Sequence, residues 1–388
     1  MLIRNVRTPD GTQNDLRLEG ATIAAVQPDL VAHDGEETID AAGALALPGL
    51  VNAHTHIDKT LWGCGWHAHS AGPTVRERID NERAVLRDLT HDPQQQSARM
   101  VEQMLSLGTT AIRTHVDIVP EIGLAHLDGV LATCEQYADR VQFQVVAFPQ
   151  LGVLSAPGTL TLLEAALEAG ADVLGGLDPV GIDQDAKGQL DALFALAERF
   201  GVGIDLHLHD AGESGAQTID LLAERSAALG MRGQIAVSHA FCLGSVDDAR
   251  LEDLTAKLRD QDIAVMSHGP AGGISAPPVR WLHANGVRVF SGSDGVRDAW
   301  GPLNTPDMLE RAYLVAYING FRDDQGLELA LHMATRGGAD VMGLEGYGLS
   351  PGCRADLVLV EAENACEAVA AHPPRRFVIA NGRVCRPN

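Results

Sequence analysis

The sequence is poor in the features that mark a disulfide framework or a thiolate metal site. Its six cysteines are scattered over 388 residues, and none belongs to a Cys-x-x-Cys pair. This distribution favours reduced thiols over disulfides and over zinc held by sulfur. Cysteine is therefore not expected to carry the chemistry of this protein.

Positive charge and long apolar runs are also scarce. The 29 Lys and Arg residues are outnumbered by 52 Asp and Glu residues, and the net charge of -23 would repel nucleic acids and anionic membrane surfaces. No window of about 18 apolar residues occurs, and the N-terminal stretch MLIRNVRTPDGTQNDL lacks the pattern of a signal peptide. We expect a cytoplasmic protein whose partner is a small molecule rather than nucleic acid or membrane.

The two ends of the chain differ in pattern from its middle. Residues 1–47 and 346–388 carry short alternating runs separated by turn signals, and they predict a small β-sandwich domain built from both ends. Residues 48–345 alternate apolar strands with helical stretches, which predicts an α/β fold with a parallel sheet. The predicted strands are AHTHID, AIRTHVDI, QFQVVAFPQ, ADVLGGLDP, GVGIDLHLHD, QIAVSHAF, IAVMSHG and VRVFSGSDG. Eight strands close a (β/α)8 barrel of the TIM type.

Nearly every predicted barrel strand ends in His, Asp or Gln. The carboxyl ends of barrel strands are where active sites of this fold assemble. His54 and His56 are two residues apart, so they share one face of a strand and can bind one metal ion at about 2.0 to 2.1 Å each. The same spacing recurs at His207 and His209, where one imidazole would be a third ligand and the other would face the substrate or a neighbouring helix.

Two further strand ends complete this pattern. His239, in AVSHAF, and Asp294, in FSGSDG, follow later strands. A metal ion bound by three imidazoles and a carboxylate keeps a position for water and lowers the pKa of that water from 15.7 to roughly 7. Asp294 would take a proton as hydroxide attacks an amidine carbon, and His239 would stabilise charge on the attacking oxygen. The hypothesis is metal-dependent hydrolysis.

These segments together resemble a known family. The succession PGLVNAHTHIDK, IRTHVDI, VVAFPQ, DLHLHD, SHAF and SGSDGVRDAWGPL, followed by SPGCRADLVLVEAEN, is similar to the cytosine deaminase-like branch of the amidohydrolase superfamily. The resemblance covers almost the whole chain and implies one divalent transition metal, Zn or Fe(II). It also implies that His239 forms a hydrogen bond with the metal-bound water and that Gln150 contacts the heterocycle. The implied metal ligands are His54, His56, His207 and Asp294.

The sequence departs from cytosine deaminase at the positions that contact or protonate the ring. The glutamate that shuttles protons on the fifth strand is replaced by Asp210, with Glu213 three residues further on, and the second aspartate after the metal ligand is replaced by Gly295. Lys59 and the His-x-His pair ending in His209 instead resemble isopropylammelide hydrolases and pterin deaminases. We therefore expect a ring with more polar or anionic substituents than cytosine, such as an oxidised triazine, a pterin or a substituted pyrimidine.

Several of these residues have ordinary structural interpretations. Lys59 is either a solvated surface residue or a cation that polarises a ring carbonyl or binds an anionic substituent. Asp210 and Glu213 begin the helical stretch AGESGAQTIDLLAERSAAL, where acidic residues also serve as caps. Trp300 is either a core aromatic or part of a flat wall against which a ring stacks.

Three functions remain after these arguments. The first is a deaminase acting on a pyrimidine, s-triazine or pterin. The second is a hydrolase of a cyclic amide or ureide, because the same hydroxide attacks either carbon. The third is a metal-binding protein without catalysis, which would lack ligands or proton-transfer residues. The sequence leaves the native metal, the substrate and a homo-oligomeric state open.

Overall fold

The structure, a computed structural model, describes residues 1–89, 91–270 and 273–385. The N-terminal part of the chain forms short strands with alternating buried and exposed side chains, as in β2. These strands are β1 (Leu2–Arg7), β2 (Gln13–Glu19), β3 (Thr22–Gln27), β4 (Thr38–Asp40) and β5 (Leu45–Pro48).

The middle of the chain forms the predicted barrel. Eight parallel strands pair in chain order. The first and last strands are joined by backbone hydrogen bonds, from Ala53 N to Ser291 O at 3.3 Å and from Asp294 N to His54 O at 3.0 Å. The (β/α)8 prediction is confirmed. The barrel strands are β6 (Leu50–Thr55), β7 (Thr109–Asp117), β8 (Gln142–Phe148), β9 (Val173–Leu177), β10 (Gly203–His207), β11 (Ile235–Ser238), β12 (Ala264–Met266) and β13 (Val289–Phe290).

Helices surround the barrel, and seven of the twelve in the described residues begin at an Asp, Thr or Asn whose side chain accepts a backbone N–H. Thr74, for example, forms a reciprocal capping box with Glu77 at the start of the first helix. The helices are α1 (Val75–Asp88), α2 (Pro93–Ser106), α3 (Ala125–Tyr137), α4 (Thr159–Ala169), α5 (Ala186–Phe200), α6 (Gly212–Leu229), α7 (Asp248–Asp260), α8 (Val279–Ala284), α9 (Met308–Ile318), α10 (Asp324–Met333), α11 (Arg336–Met342) and α12 (Ala365–Ala371). Within the described residues, no helix combines the length and the apolar character needed to cross a membrane.

The C-terminal part of the chain completes the β-structure that the N-terminal part begins. Its strands are β14 (Leu357–Val360), β15 (Arg375–Ala380) and β16 (Arg383–Cys385). They join the N-terminal strands in one mixed sheet with the order β16-β15-β14-β5-β1-β2-β3, and β4 pairs with β1. The predicted division of the chain at residues 47 and 346 stays a prediction, and residues 386–388 lie outside the described part.

Strand β14 connects the sheet to the barrel through both of its faces. All four of its side chains are fully buried. Leu357 and Leu359 pack into the core of the terminal sheet, whereas Val358 and Val360 pack into the main core around the barrel. Gly108 accommodates this contact, because its φ of 92° favours glycine and a β-carbon there would overlap Val358.

Candidate active site

The carboxyl ends of the barrel strands surround a cavity of about 450 Å³. Its volume lies in the range typical of small-molecule sites. Imidazoles and carboxylates line its floor, and apolar side chains including Phe148, Trp300 and Leu303 line its walls and rim. The cavity can therefore enclose a small molecule with polar edges and flat faces.

Four of the predicted ligands come together at the floor of this cavity. We call His54, His56, His207 and Asp294 the histidine cluster. Nε2 of His207 lies 3.3 Å from Nε2 of His56. Oδ1 of Asp294 lies 3.5 Å from Nε2 of His56 and 3.7 Å from Nε2 of His54. A tetrahedral ion with bonds of about 2.1 Å separates its ligands by about 3.4 Å, so these spacings fit a metal site.

The hydrogen bonds of His54 fix which of its nitrogens can bind a metal. Ser238 Oγ donates to Asp205 Oδ1 at 2.7 Å and lies 2.9 Å from Nδ1 of His54. Because the single hydroxyl proton is used on Asp205, Nδ1 of His54 must carry the proton that binds Ser238. Nε2 of His54 therefore has a free lone pair, and it has no hydrogen-bond partner among the described residues.

The other imidazoles are also suited to bind a metal. Burial lowers the pKa of His56 and of His207 well below the ordinary value, so both rings are neutral at neutral pH. Neutral nitrogens that lack a proton partner in a buried site are costly unless a ligand satisfies them. A set of imidazoles and one carboxylate suits Zn or Fe(II), and the residues present fit the metal that the family resemblance implies.

Two residues of the site have a left-handed backbone. His239 has a φ of 72° and Asp294 has a φ of 59°. Such a conformation costs a non-glycine residue of order 1 to 3 kcal/mol and is typical of functional sites. It turns both side chains into the cavity directly after their strands.

Asp294 is held in its ionised form. Burial alone would raise its pKa, but its contact with His54 and the nearby imidazoles of His239 and His268 hold the pKa well below its ordinary value. Nε2 of His239 has no hydrogen-bond partner among the described residues. The floor of the cavity thus combines a proton-accepting carboxylate with a free imidazole nitrogen.

His209 differs from the other imidazoles because it carries a partner carboxylate. Its Nδ1 lies 2.9 Å from Oδ2 of Asp178, at the end of β9. Burial would lower the pKa of His209, but Asp178 raises it above the ordinary value. The ring stacks on His239 with a centroid distance of 4.4 Å. Asp178 therefore favours the protonated form of His209, next to the histidine cluster.

The structure does not bring the predicted Asp210 and Glu213 to the cavity. Asp210 turns toward the loop after β9 and accepts the backbone N–H groups of Val180 and Gly181. The side chain of Glu213 is 58% exposed and pairs with Arg250 on the surface. Neither side chain lines the cavity, because the chain turns outward after His209 to begin α6, and their catalytic roles stay a prediction.

Lys59 is buried rather than exposed, and its charge is matched. Its Nζ donates to Glu82 Oε1 at 3.3 Å and to Asp117 Oδ1 at 3.0 Å. Burial would lower the pKa of Lys59, but Asp117 and Glu82 raise it above the ordinary value. Burial in turn raises the pKa of Glu82 to about 7 and that of Asp117 to about 6. Lys59 therefore adds no free positive charge to the cavity.

Gln150 completes this buried group, which we call the lysine network (Lys59, Glu82, Asp117 and Gln150). Its Oε1 accepts a hydrogen bond from Lys59, and its Nε2 donates to Glu82 Oε1 at 2.6 Å. The described residues that line the cavity include Lys59 but not Gln150. The amide therefore positions Lys59, and the predicted contact of Gln150 with the ring stays a prediction.

The tryptophans have separate roles. Trp300 is half-buried and lines the cavity, with Lys59 Nζ 5.9 Å from its ring centroid. Trp62 lies under Arg297 at 5.5 Å, and Trp66 is 72% exposed. Trp300 and Phe148 therefore provide the flat walls on which a planar ring can stack.

Comparisons with known proteins agree with this geometry. The model of the amidohydrolase family matches residues 37–386. The chain belongs to this family and is a hydrolase of C–N bonds. It is 30% identical to the N-isopropylammelide isopropyl amidohydrolase of Pseudomonas sp. (strain ADP), over 99% of this chain and 96% of that protein.

Two solved structures extend the comparison. The crystal structure of N-isopropylammelide isopropylaminohydrolase from Burkholderia multivorans ATCC 17616 is 48% identical, with a TM-score of 0.96 over 99% of this chain and 97% of that chain. The structure of 5-methylcytosine deaminase from Klebsiella pneumoniae with phosphonocytosine is 29% identical, with a TM-score of 0.87 over 99% and 97% of the two chains. Both neighbours act on planar nitrogen heterocycles by name.

Proposed function

We propose that this protein is a metal-dependent hydrolase that removes ammonia or an amine from a nitrogen heterocycle, such as a pyrimidine, an s-triazine or a pterin. The observation that carries the proposal is the histidine cluster at the floor of a cavity with aromatic walls. The names of the relatives support a heterocyclic substrate. The substrate is a small molecule, and a homo-oligomeric state stays a prediction.

The histidine cluster would hold one divalent metal, Zn or Fe(II). When bound, such a metal lowers the pKa of a water molecule toward 7 and so supplies hydroxide at neutral pH. Asp294 accepts the proton of the attacking water, because its carboxylate lies beside the imidazoles of His54 and His56 at the floor of the cavity. His239 donates a hydrogen bond to the oxygen as negative charge develops on it.

The leaving nitrogen needs a proton of its own. His209 supplies it, because Asp178 keeps its imidazole protonated and its ring lies beside His239. The carbon–nitrogen bond breaks, and the amine leaves with the proton of His209. The proton on Asp294 then returns to the imidazole of His209. Stacking between Trp300 and Phe148 holds the ring flat over the floor of the cavity.

Ammonia or amine release tests the proposal. The metal-loaded enzyme should release one amine per ring from at least one member of a panel of aminopyrimidines, amino-s-triazines, purines and pterins. The metal-stripped protein serves as the control, and one ion per chain should restore the activity. Hydrolysis of cyclic ureides without amine release from any member of the panel would contradict the proposal and favour the cyclic amide hydrolase.

A further inference from the structure

Asp298 is a buried carboxylate in the cavity that the mechanism above does not use. It follows β13 in the loop that begins at Asp294, and it is 4% exposed. Together with Gly295 and Trp300 it lines the cavity. Its Oδ1 accepts the backbone N–H groups of Trp300 at 2.8 Å and Gly301 at 3.2 Å. One carboxylate oxygen therefore fixes the loop that carries the tryptophan wall.

The second oxygen of Asp298 has different surroundings. In the parts of the chain that the structure describes, Oδ2 takes part in no hydrogen bond, whereas Oδ1 takes part in two. Oδ2 lies against Gly295, and a β-carbon at that position would overlap it. The missing side chain of Gly295 thus leaves room for Oδ2 in the wall of the cavity. An acceptor that is nearly buried and unpaired loses free energy unless a ligand donates to it.

The charges around Asp298 favour a donor as that ligand. Burial and the carboxylate of Glu82 raise the pKa of Asp298 to about 7, and Lys59 opposes this effect. The ammonium of Lys59 is already bound by Glu82 and Asp117. An N–H group that binds Oδ2 would favour the ionised carboxylate, whereas an anionic edge of a substrate would be repelled.

We propose that Asp298 is a specificity-determining residue that accepts a hydrogen bond from a ring N–H of the substrate through Oδ2. The inference rests on the proposed function and deepens it, because it names the chemistry of the ring edge: the preferred heterocycles present an N–H donor to this wall. It also restricts the expectation, drawn from Lys59, that the ring carries polar or anionic substituents. Donor groups on the ring are preferred, and anionic substituents are disfavoured on the edge facing Asp298.

The variant Asp298→Asn distinguishes the roles of the two carboxylate oxygens. The asparagine carbonyl still accepts the N–H groups of Trp300 and Gly301, while an NH2 donor replaces Oδ2. Uracil, 1-methyluracil and 3-methyluracil are suitable probes for calorimetry on metal-loaded protein, because they carry no leaving amine. Asp183→Asn is the matched control, since Asp183 also accepts backbone N–H groups of a loop but does not belong to the described lining of the cavity.

Methylation at one ring nitrogen should weaken binding to the native protein roughly 10- to 100-fold, as expected for one hydrogen bond to a charged group. Asp298→Asn should weaken uracil binding by a similar factor and reduce the difference between uracil and that methyl derivative to less than about threefold. Asp183→Asn should keep the native pattern. If Asp298→Asn does not fold, Gly295→Ala provides the same test, because the added methyl group displaces Oδ2.

The proposal is overturned if Asp298→Asn keeps the native discrimination, or if neither methyl group weakens native binding. Absence of binding by all three probes at millimolar concentration would overturn it as well, because the wall would then recognise no ring N–H. These outcomes are independent of turnover. A protein that shows the expected binding pattern but releases no amine from the heterocycle panel would retain the role of Asp298 and lose the proposed function.

Discussion

The two ends of the cavity are built in opposite ways. At the histidine cluster, Nε2 of His54 lacks a hydrogen-bond partner among the described residues, and Nε2 of His56 lies 3.3 Å from Nε2 of His207. In the lysine network, the ammonium of Lys59 is matched by Glu82 and Asp117. The nitrogens at one end are open to a ligand, whereas the ammonium at the other end is already bound, and within the described residues of that network only Oε2 of Glu82 has no partner. The comparison indicates that different residues carry the reaction and hold the cavity in place: the histidine cluster has the first role and the lysine network the second.

The largest effect is expected at Asp294 of the histidine cluster and at His239 beside it. Asp294→Ala and His239→Ala should each lower kcat by about 10³-fold or more, because they remove the proton acceptor and the hydrogen bond to the developing charge. Folding should survive, and circular dichroism and metal content measure this. His33→Ala, an exposed histidine of the terminal sheet, is the control. Near-normal turnover of either variant with full metal content would refute the assigned roles.

A substitution in the lysine network should lower the free energy of unfolding. Lys59→Ala leaves two buried carboxylates without their cation, and loss of one partner of a buried pair costs about 3 to 5 kcal/mol. Urea unfolding measures the loss. Arg259→Ala, which removes a pair with Asp260 on the exposed surface, should cost less than about 1 kcal/mol. Equal stability of the two variants would show that the network does not support the cavity.

A smaller effect on turnover is expected at His209. His209→Gln removes the proton for the leaving nitrogen and should lower kcat by about 10²-fold while the metal remains bound. The loss should shrink for substrates whose leaving amine is less basic, because such amines need less protonation. A uniform loss for good and poor leaving groups would assign His209 to ring binding instead.

The smallest effect is expected at Glu213. Glu213→Ala removes an exposed contact with Arg250 and should change stability by less than about 1 kcal/mol and turnover by less than about twofold. Steady-state kinetics of Glu213→Ala and His209→Gln, measured side by side, compare the two turnover losses directly. A large loss of turnover in Glu213→Ala would mean that the start of α6 approaches the substrate.

The sequence predicted the part of the site that strands build. His54, His56 and His207 could be found because side chains two apart share a face and the carboxyl ends of barrel strands meet in one place. Glu82 could not be found in this way, because it reaches Lys59 from α1, and one acidic residue in a polar helix gives no signal. Asp298 was missed for a similar reason, since only the folded loop brings it against Gly295.

The structure places the two residues that follow Leu208 in different surroundings. His209 and Asp210 are adjacent, yet one faces the cavity and the other caps a neighbouring loop. Spacing identifies residues on one face while a strand continues. It does not show where the backbone leaves the strand, and this depends on contacts with the loop after β9 that are distant in the sequence.

The double burial of β14 also determines the order in which the chain can fold. β5 pairs with β14, so the N-terminal strands have an open edge until the last thirty or so residues have been synthesised. The barrel lacks the contacts of Val358 and Val360 during the same period. A ribosome-bound chain should therefore expose an unpaired strand until β14 has been synthesised, and it should depend on chaperones more than a barrel whose ends are independent.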